Sequence, residues 1–358
     1  MAIENFEQEG PKAAHDIYKC PSCGSNLSFD PGTQSLKCAY CGYEEALVGT
    51  YSEEEHDFAN ADFSKWNHKE AHQARCQNCG ANVIIDPNVL SVNCPFCDTP
   101  MVISTDEITG LKPDRVIPFT ITDKVAQENY RKWLKKRVMA PHKVKKEIPN
   151  PTMNSVYVPT WTFDSFVSAK YEGRLGKRYT KTTGNGKTVT EIKYFSIGGT
   201  VTRREDDCLV CSGEKMNQQE LSKIEPFHTN ESFVYDNRYL SGHTTEHYSM
   251  ELKDGWKVAQ GIIEKHLEAQ ILAQYDNDVV DYLHIHPKYD DITYKYVILP
   301  VWLCRYLYNR KSFRFVVNGE TGKVSGKFPI SPVKVGIIAF FILAAIAFII
   351  WAWLTYGD

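Results

Sequence analysis

The chain has no excess of charge of either sign: 41 Lys plus Arg stand against 44 Asp plus Glu, a formal net charge of −3 over 358 residues. That balance, with 42% hydrophobic residues, excludes a disordered chain and a strongly basic polyelectrolyte. The first ten residues, MAIENFEQEG, have neither a basic n-region nor an apolar h-region, so no export signal is expected. A phosphate loop is also missing. Gly186-Lys187-Thr188 resembles the end of one, but the pattern requires glycine at position 181, where Lys181 stands. Cysteine is sparse outside one region: eight of the eleven lie between Cys20 and Cys97, which excludes a secreted disulfide scaffold spread through the fold. At roughly 150 residues per domain, the length suggests about two to three folded units.

Charge disappears altogether near the C-terminal end. Residues 335–354 read VGIIAFFILAAIAFIIWAWL, without a charge, amide or hydroxyl. As a helix they span about 30 Å, one hydrocarbon thickness. Twelve of the twenty are Ile, Leu, Phe or Val. At the helix centre these contribute about −4 to −7 kcal/mol towards insertion as an upper bound. Trp351, Trp353 and Tyr356 cluster at the far end, and Lys323, Lys327 and Lys334 precede the near end. The expectation is one transmembrane helix with its basic flank, and the bulk of the chain, on the cytoplasmic side.

The cysteines form a tandem repeat. Cys20, Cys23, Cys38 and Cys41 follow C-x2-C-x14-C-x2-C, and Cys76, Cys79, Cys94 and Cys97 repeat it 56 residues later. Nine of 24 aligned positions are identical between the two copies. Each copy reads as a knuckle, a strand, a turn (Asp30-Pro31-Gly32 or Asp86-Pro87-Asn88), a returning strand and a second knuckle, which is a zinc ribbon. Gly24 and Gly80 suit the tight backbone that aims amides at sulfur. Four thiolates around one Zn2+ leave no open position, so two structural ions are expected, with metal binding coupled to folding. Iron in the same cage and disulfides are the alternatives, the latter disfavoured by a reducing cytosol.

Residues 1–100 carry fifteen acidic and six basic side chains, and each four-thiolate zinc centre adds two negative charges. Such a module repels nucleic acid unless one face is locally basic, so protein partners are favoured. Residues 44–62, with Glu53-Glu54-Glu55 and no basic residue, read as a solvated connector that lets the ribbons move. A contrasting stretch, residues 131–146 (RKWLKKRVMAPHKVKK), has eight Lys or Arg among sixteen residues and no acid. Its first half continues a helix from Thr122 or Asp123, with Ala126, Tyr130, Trp133, Leu134 and Val138 on one face and Pro141 as its stop. It reads as an ordinary solvated face, or as a contact with anionic lipid or the acidic ribbons.

Between residues 111 and 332 the pattern is mixed. Tyr157-Val158-Pro159-Thr160-Trp161 and Ile298-Leu299-Pro300-Val301-Trp302 share a Pro-x-Trp core and suggest two related sheet elements. Residues 156–163, 171–175 and 189–201 are further strand candidates, with a turn at 184–186. Alternation over residues 293–317 predicts a hairpin with Trp302, Cys304, Tyr306 and Tyr308 on one face, followed by an Asn318-Gly319 turn. Residues 251–275 predict a helix, with Trp256, Ala259, Ile262, Ile263, His266, Leu267 and Ile271 at helical spacing.

The resulting fold class is multidomain. It comprises an N-terminal tail (1–19), zinc ribbon 1 (20–43), an acidic linker (44–75), zinc ribbon 2 (76–100), an α+β domain (111–332) and one transmembrane helix (335–354). Two more motifs invite metal. His243-Thr244-Thr245-Glu246-His247 matches the inverted zincin pattern H-x-x-E-H, which needs a helix and a downstream Glu; a chance match is the stronger reading. Cys208 and Cys211 form a third C-x2-C pair that a histidine such as His228 could complete, structural thiols being the plainer reading. Cys304, alternating with aromatics, reads as core.

The layout of tandem ribbons, Ile117-Pro118-Phe119 before a basic helix, paired Pro-x-Trp strands, the NGETGKVSG turn at 318–326 and a terminal apolar helix resembles the bacterial YdjG-like family of tail-anchored zinc-ribbon membrane proteins. Such proteins are often labelled transcription-factor-type zinc ribbons or primosomal-helicase relatives. The helicase label transfers poorly, because no phosphate loop or helicase core motif matches it. The resemblance implies a membrane adaptor that recruits phage-shock-type and flotillin-like cytosolic proteins in an envelope-stress assembly.

The expectation is therefore a non-enzymatic adaptor at the cell membrane, with no catalytic residue assigned. The alternatives are a membrane-attached nucleic-acid-binding protein and a metal-dependent hydrolase at His243, Glu246 and His247.

Overall fold

The computed structural model describes residues 18–356, apart from residue 53 and residues 62–71, 86–90, 95, 98, 103–105, 108–110, 147–150 and 183–187. Most of the expected N-terminal tail and the turns expected at 86–88 and 184–186 lie outside the described residues.

In chain order, β1 (Leu27–Asp30), β2 (Ser35–Cys38) and β3 (Glu44–Ala46) form a small antiparallel sheet. Then come β4 (His56–Asp57), β5 (His72–Arg75), β6 (Asn82–Ile85), β7 (Ser91–Asn93), β8 (Pro100–Val102), β9 (Asp106–Glu107) and β10 (Arg115–Val116). Helices α1 (Asp123–Lys135) and α2 (His142–Lys146) precede two long strands, β11 (Thr152–Thr182) and β12 (Thr188–Cys211). After α3 (Gln218–Ile224), β13 (Phe233–Val234) and β14 (Thr244–Glu246) come α4 (Leu252–Leu272), β15 (Val279–Tyr308), β16 (Lys311–Asn318), β17 (Val324–Gly326) and α5 (Pro332–Tyr356).

The frame is a ribbon of very long strands. β11 has 31 residues and β15 has 30, so each runs about 100 Å. They pair antiparallel from Thr152 opposite Arg305 to Gly176 opposite Val279, with bulges at Asp164/Phe166 and Arg174/Leu175, and β12 adds along the other edge of β11. The strand candidates at 156–163, 171–175 and 189–201 are thus sections of two continuous strands. β15 turns into β16 through Asn309 and Arg310, whose φ values of 51° and 61° meet the demand of a two-residue hairpin for positive φ at both positions.

Side chains alternate across the base of this sheet, and both faces are buried. Tyr157, Trp161, Phe163, Tyr296, Ile298 and Trp302 belong to one core, which also takes Ala126, Tyr130 and Leu134 from α1 and Trp256, Ala259, Ile263, Leu267 and Ile271 from α4. Val156, Val158, Val297, Leu299, Val301 and Leu303 belong to a second core, closed by Leu221 and Ile224 of α3. The hairpin at 293–317 forms with Trp302, Cys304 and Tyr306 in the first core, while Leu303 and Val316 fill the second. The two Pro-x-Trp elements lie side by side, Tyr157 opposite Pro300 and Pro159 opposite Ile298. Their indoles play matching parts: Trp161 Nε1 donates to Met250 O at 2.9 Å and Trp302 Nε1 to Ile121 O at 2.8 Å.

Helix α1 starts where its sequence places it, capped by Thr122, but ends at Lys135 rather than at Pro141. Residue 138, expected on its apolar face, is 70% exposed in the turn that follows. α4 carries its buried residues at the expected spacing. In α5, the 20 residues Pro332–Trp351 have a mean hydropathy of 2.8, and none of the most apolar stretch is buried. At 25 residues α5 is about 37 Å long, enough to cross a membrane.

The cysteine modules are not separate from this body. β6 pairs with β5 on one side and with β14 on the other, Thr245 opposite Ile84, and β14 pairs in turn with β11. The second module is therefore woven into the main sheet, while β7 and β8 make their own two-stranded ladder. This corrects the expected picture of two like ribbons beside an independent domain: the fold is a mixed α+β body, mostly sheet, with two four-cysteine clusters built into it.

Candidate metal centres

In each module a C-x2-C knuckle brings two sulfurs to one corner pair. Gly24 N donates to Cys20 O at 2.8 Å, Gly42 N to Cys38 O at 3.0 Å and Gly80 N to Cys76 O at 2.7 Å, and these glycines have φ of 73°, 76° and 74°. A residue with a Cβ is strained at such φ, which accounts for glycine after the second cysteine. Backbone bonds spanning five residues close each knuckle: Cys20 N to Ser25 O, Cys38 N to Tyr43 O, Cys76 N to Ala81 O and Cys94 N to Thr99 O, at 2.7 to 2.9 Å.

All eight cysteines singled out by spacing converge. Cys20, Cys23, Cys38 and Cys41 form one cluster and Cys76, Cys79, Cys94 and Cys97 the other, with the sulfurs of each within 4.8 Å of one another. The closest approaches are Cys20 to Cys41 at 3.4 Å, and 3.5 Å for Cys23 to Cys38, Cys76 to Cys97 and Cys79 to Cys94. A tetrahedral ion with metal–sulfur bonds of about 2.3 Å needs sulfurs about 3.8 Å apart, so each cage fits one ion. Hydrogen bonding from Ser25 lowers the Cys23 thiol to about 6. At Cys97, burial raises the pKa, but hydrogen bonds from Thr99 outweigh it and bring it to about 6. Their neighbours move the other way. The Tyr43 backbone lowers Cys41, but hydrogen bonding with Cys20 and burial together outweigh it and raise the thiol to about 12, and burial raises Cys79 and Cys94. Each cage thus has one thiol that ionises readily and others that need the metal to displace their protons.

The cages clamp opposite faces of the sheet. Leu27, Phe29 and Leu36 of the first module join the core shared with α1 and α4. Phe29 N donates to Ser241 O at 2.9 Å, and Ser241 Oγ to Leu27 O at 2.7 Å. Ala74, Ala81, Val83 and Phe96 of the second module join the other core, and Lys215 Nζ donates to Cys79 O.

Residues expected to form a solvated connector are instead stapled down. β4 pairs with β15, His56 opposite Tyr294, and Tyr51 packs on Phe233 with ring centroids 4.6 Å apart. Beneath them Lys295, 6% exposed, contacts Glu55 at 3.0 Å and Asp207 at 2.9 Å. Asp164 Oδ1 accepts from Asp207 N at 2.8 Å, and burial drives the Asp164 carboxyl up to about 7. Burial opposes the charge on Lys295, but Asp207 and Glu55 outweigh it and raise its pKa. Sequence reading missed this cluster; its one local signal was a lysine, Lys295, within a run of strand residues.

The other motifs are not brought together as ligands: among the described residues, the two cysteine sets are the groups close enough to share an ion. His243 precedes β14 and Glu246 ends it, so H-x-x-E-H lies on a strand and not on the helix a zincin needs. His243 stacks on Phe119 at 4.6 Å, and burial pushes it down to about 4. Glu246 Oε1 accepts from the amides of Glu214 and Lys215 at 2.8 and 3.2 Å. Burial raises its carboxyl to about 7. Cys208 and Cys211 are three apart on β12 and fall on opposite faces, one in each core. Burial raises both thiols to about 12, and Cys211 Sγ contacts Met216 O at 2.9 Å. His228 is held by Glu320, Nδ1 to Oε1 at 2.6 Å, which raises its pKa. Cys304 is core, as expected.

The turn at 318–326 is a structural knot. Asn318 Oδ1 accepts from Glu320 N and Thr321 N, and its Nδ2 donates to Ile224 O and Pro226 O, at 2.8 to 3.0 Å.

Compared with known proteins, the chain is 30% identical over 322 residues to an uncharacterized protein, YdjG, of Bacillus subtilis (strain 168), an alignment covering 89% of this chain and 91% of that one. No family model and no solved structure matches the chain.

Proposed function

The chain belongs to the YdjG family, and on that footing we propose that it is a non-enzymatic, membrane-anchored adaptor. Two zinc-stiffened modules hold a rigid surface for cytosolic proteins, and α5 keeps that surface at the bilayer. The observation that carries the reading is the closure of both cages: all four donors in each are protein thiols, which leaves no position for substrate. Zinc is the ion of choice for four thiolates at tetrahedral spacing.

The apolar, unpacked surface of α5 supports the anchor, and Lys323 and Lys327 before it, with Lys334 in its first turn, support a cytoplasmic body. The proposed partners are cytosolic proteins of phage-shock and flotillin type, acting in an envelope-stress assembly. Two measurements test the reading. Elemental analysis of the purified chain is expected to give two zinc ions per chain, and carbonate washing is expected to leave the chain in the membrane. A third metal, substrate turnover, or release by carbonate would each refute the corresponding part.

A further inference from the structure

The basic stretch at 131–146 has a definite place in the fold. Ser331 N donates to Met139 O at 2.9 Å, one residue before α5 begins. Lys334 Nζ, in the first turn of α5, donates to Val138 O at 3.0 Å and Ala140 O at 2.7 Å. The turn between α1 and α2 is thus bonded directly to the mouth of the apolar helix. If α5 crosses a bilayer, that turn stands at headgroup level.

The surface there is preformed and cationic. Tyr130, Leu134, Ala140 and Val144 are fully buried beneath it, so its shape is fixed by packing. Arg137 lies over the Trp133 ring at 4.3 Å, and Trp133 meets Phe328 edge-on at 5.8 Å, which ties the turn to the chain entering α5. Arg131, Lys132, Lys135, Lys136, Lys143 and Lys146 are exposed, and among the described residues none pairs with a carboxylate. Among the described residues, no carboxylate of the acidic modules pairs with these six side chains. Three apolar side chains project beside the cations at the helix mouth: Val138 is 70% exposed, Ile330 61% and Val333 68%. Apolar tips among unpaired lysines match the zone where acyl chains meet headgroups.

We propose that residues 131–146, with the entry to α5, form a docking surface for anionic phospholipid in the same bilayer. The inference rests on the membrane reading of α5. The surface sets the tilt of the body against the membrane and draws the protein to acidic lipid, with the cysteine modules held at a fixed height above it. Each cation near an anionic surface contributes roughly fivefold to association, so four of them contribute several hundredfold.

The test uses the full chain in vesicles of phosphatidylcholine alone or with about 30 mol % phosphatidylglycerol, lysine-reactive labelling being read by mass spectrometry. We expect Lys132, Lys136, Lys143 and Lys146 to be labelled at least threefold more slowly in the anionic vesicles. The protection should vanish at roughly 0.5 M salt, with no change at Lys257 and Lys288, which are exposed and lie outside the stretch. Retention of phosphatidylglycerol by the chain should fall when these four lysines are replaced by glutamine.

Equal labelling in both vesicle types overturns the proposal, as does protection by duplex DNA without protection by phosphatidylglycerol, which would assign the surface to nucleic acid. Flotation after carbonate separates the two readings. Vesicles that lose the protein contradict the anchor, whereas vesicles that keep it without lipid-dependent protection contradict the docking surface alone.

Discussion

Replacing Phe29 by alanine tests whether the first module is a rigid part of the body. Phe29 is 4% exposed and lies edge-on to Tyr239 at 5.3 Å and to His243 at 6.1 Å. Truncating a buried phenylalanine costs about 3–5 kcal/mol, of which each lost aromatic pair accounts for about 0.5–1.5 kcal/mol. The hydrogen bonds from Phe29 N to Ser241 O and from the Ser241 hydroxyl to Leu27 O survive the change, and the four thiols are untouched. The metal should therefore stay while the docking weakens. Thermal unfolding of the full chain, with metal content measured on the same sample, checks this. Loss of several kcal/mol with two ions still bound is the expected result. A loss below about 1 kcal/mol would mean that the ring holds nothing in place and the module swings free.

Other perturbations bear on the second module, the buried charges and the metal. Glu246 is buried with its carboxyl raised to about 7, so the folded state holds a proton that the unfolded chain releases above about 4.5. Stability should fall as pH rises through that window, and Glu246→Gln should flatten the slope of melting temperature between roughly pH 5.5 and 7.5; an unchanged slope would refute the assignment. Lys295→Met leaves Glu55, Asp207 and Asp164 facing one another and should cost about 3–5 kcal/mol in denaturant unfolding, whereas a neutral result would show that the acids are solvated. Chelation of the second cage should loosen the β6–β14–β11 pairing and expose amides of the main sheet to hydrogen exchange; exchange confined to residues 76–100 would mean that the module is independent.

Features written in short-range spacing were legible in the sequence. The knuckles needed only pairs of cysteines with two residues between them, glycine following in three of the four, and Thr122 announced the start of α1. The apolar run of α5 was plain from hydropathy alone. The Pro-x-Trp likeness pointed to related strands, and they lie paired.

What the sequence hid depends on contacts between distant segments. β14 is three residues long and has no periodicity to read, yet it joins the second module to the main sheet. The acidic run at 53–55 looks solvated until Glu55 meets Lys295 across the fold. Glycines at 173, 176, 198 and 199 and a run of exposed residues at 188–196 interrupt the outer parts of β11 and β12, so their length was broken into shorter candidates. H-x-x-E-H reads as a metal site only on a helix, and strand geometry separates its members.

The central claim is that metal-held modules present a docking surface at the membrane. The most direct test is capture of bound proteins by the full chain in native membranes, before and after chelation removes the metal. The account predicts a defined set of cytosolic proteins retained with metal and lost without it. Recovery of the same set from metal-free chain, or of no protein in either state, would contradict it.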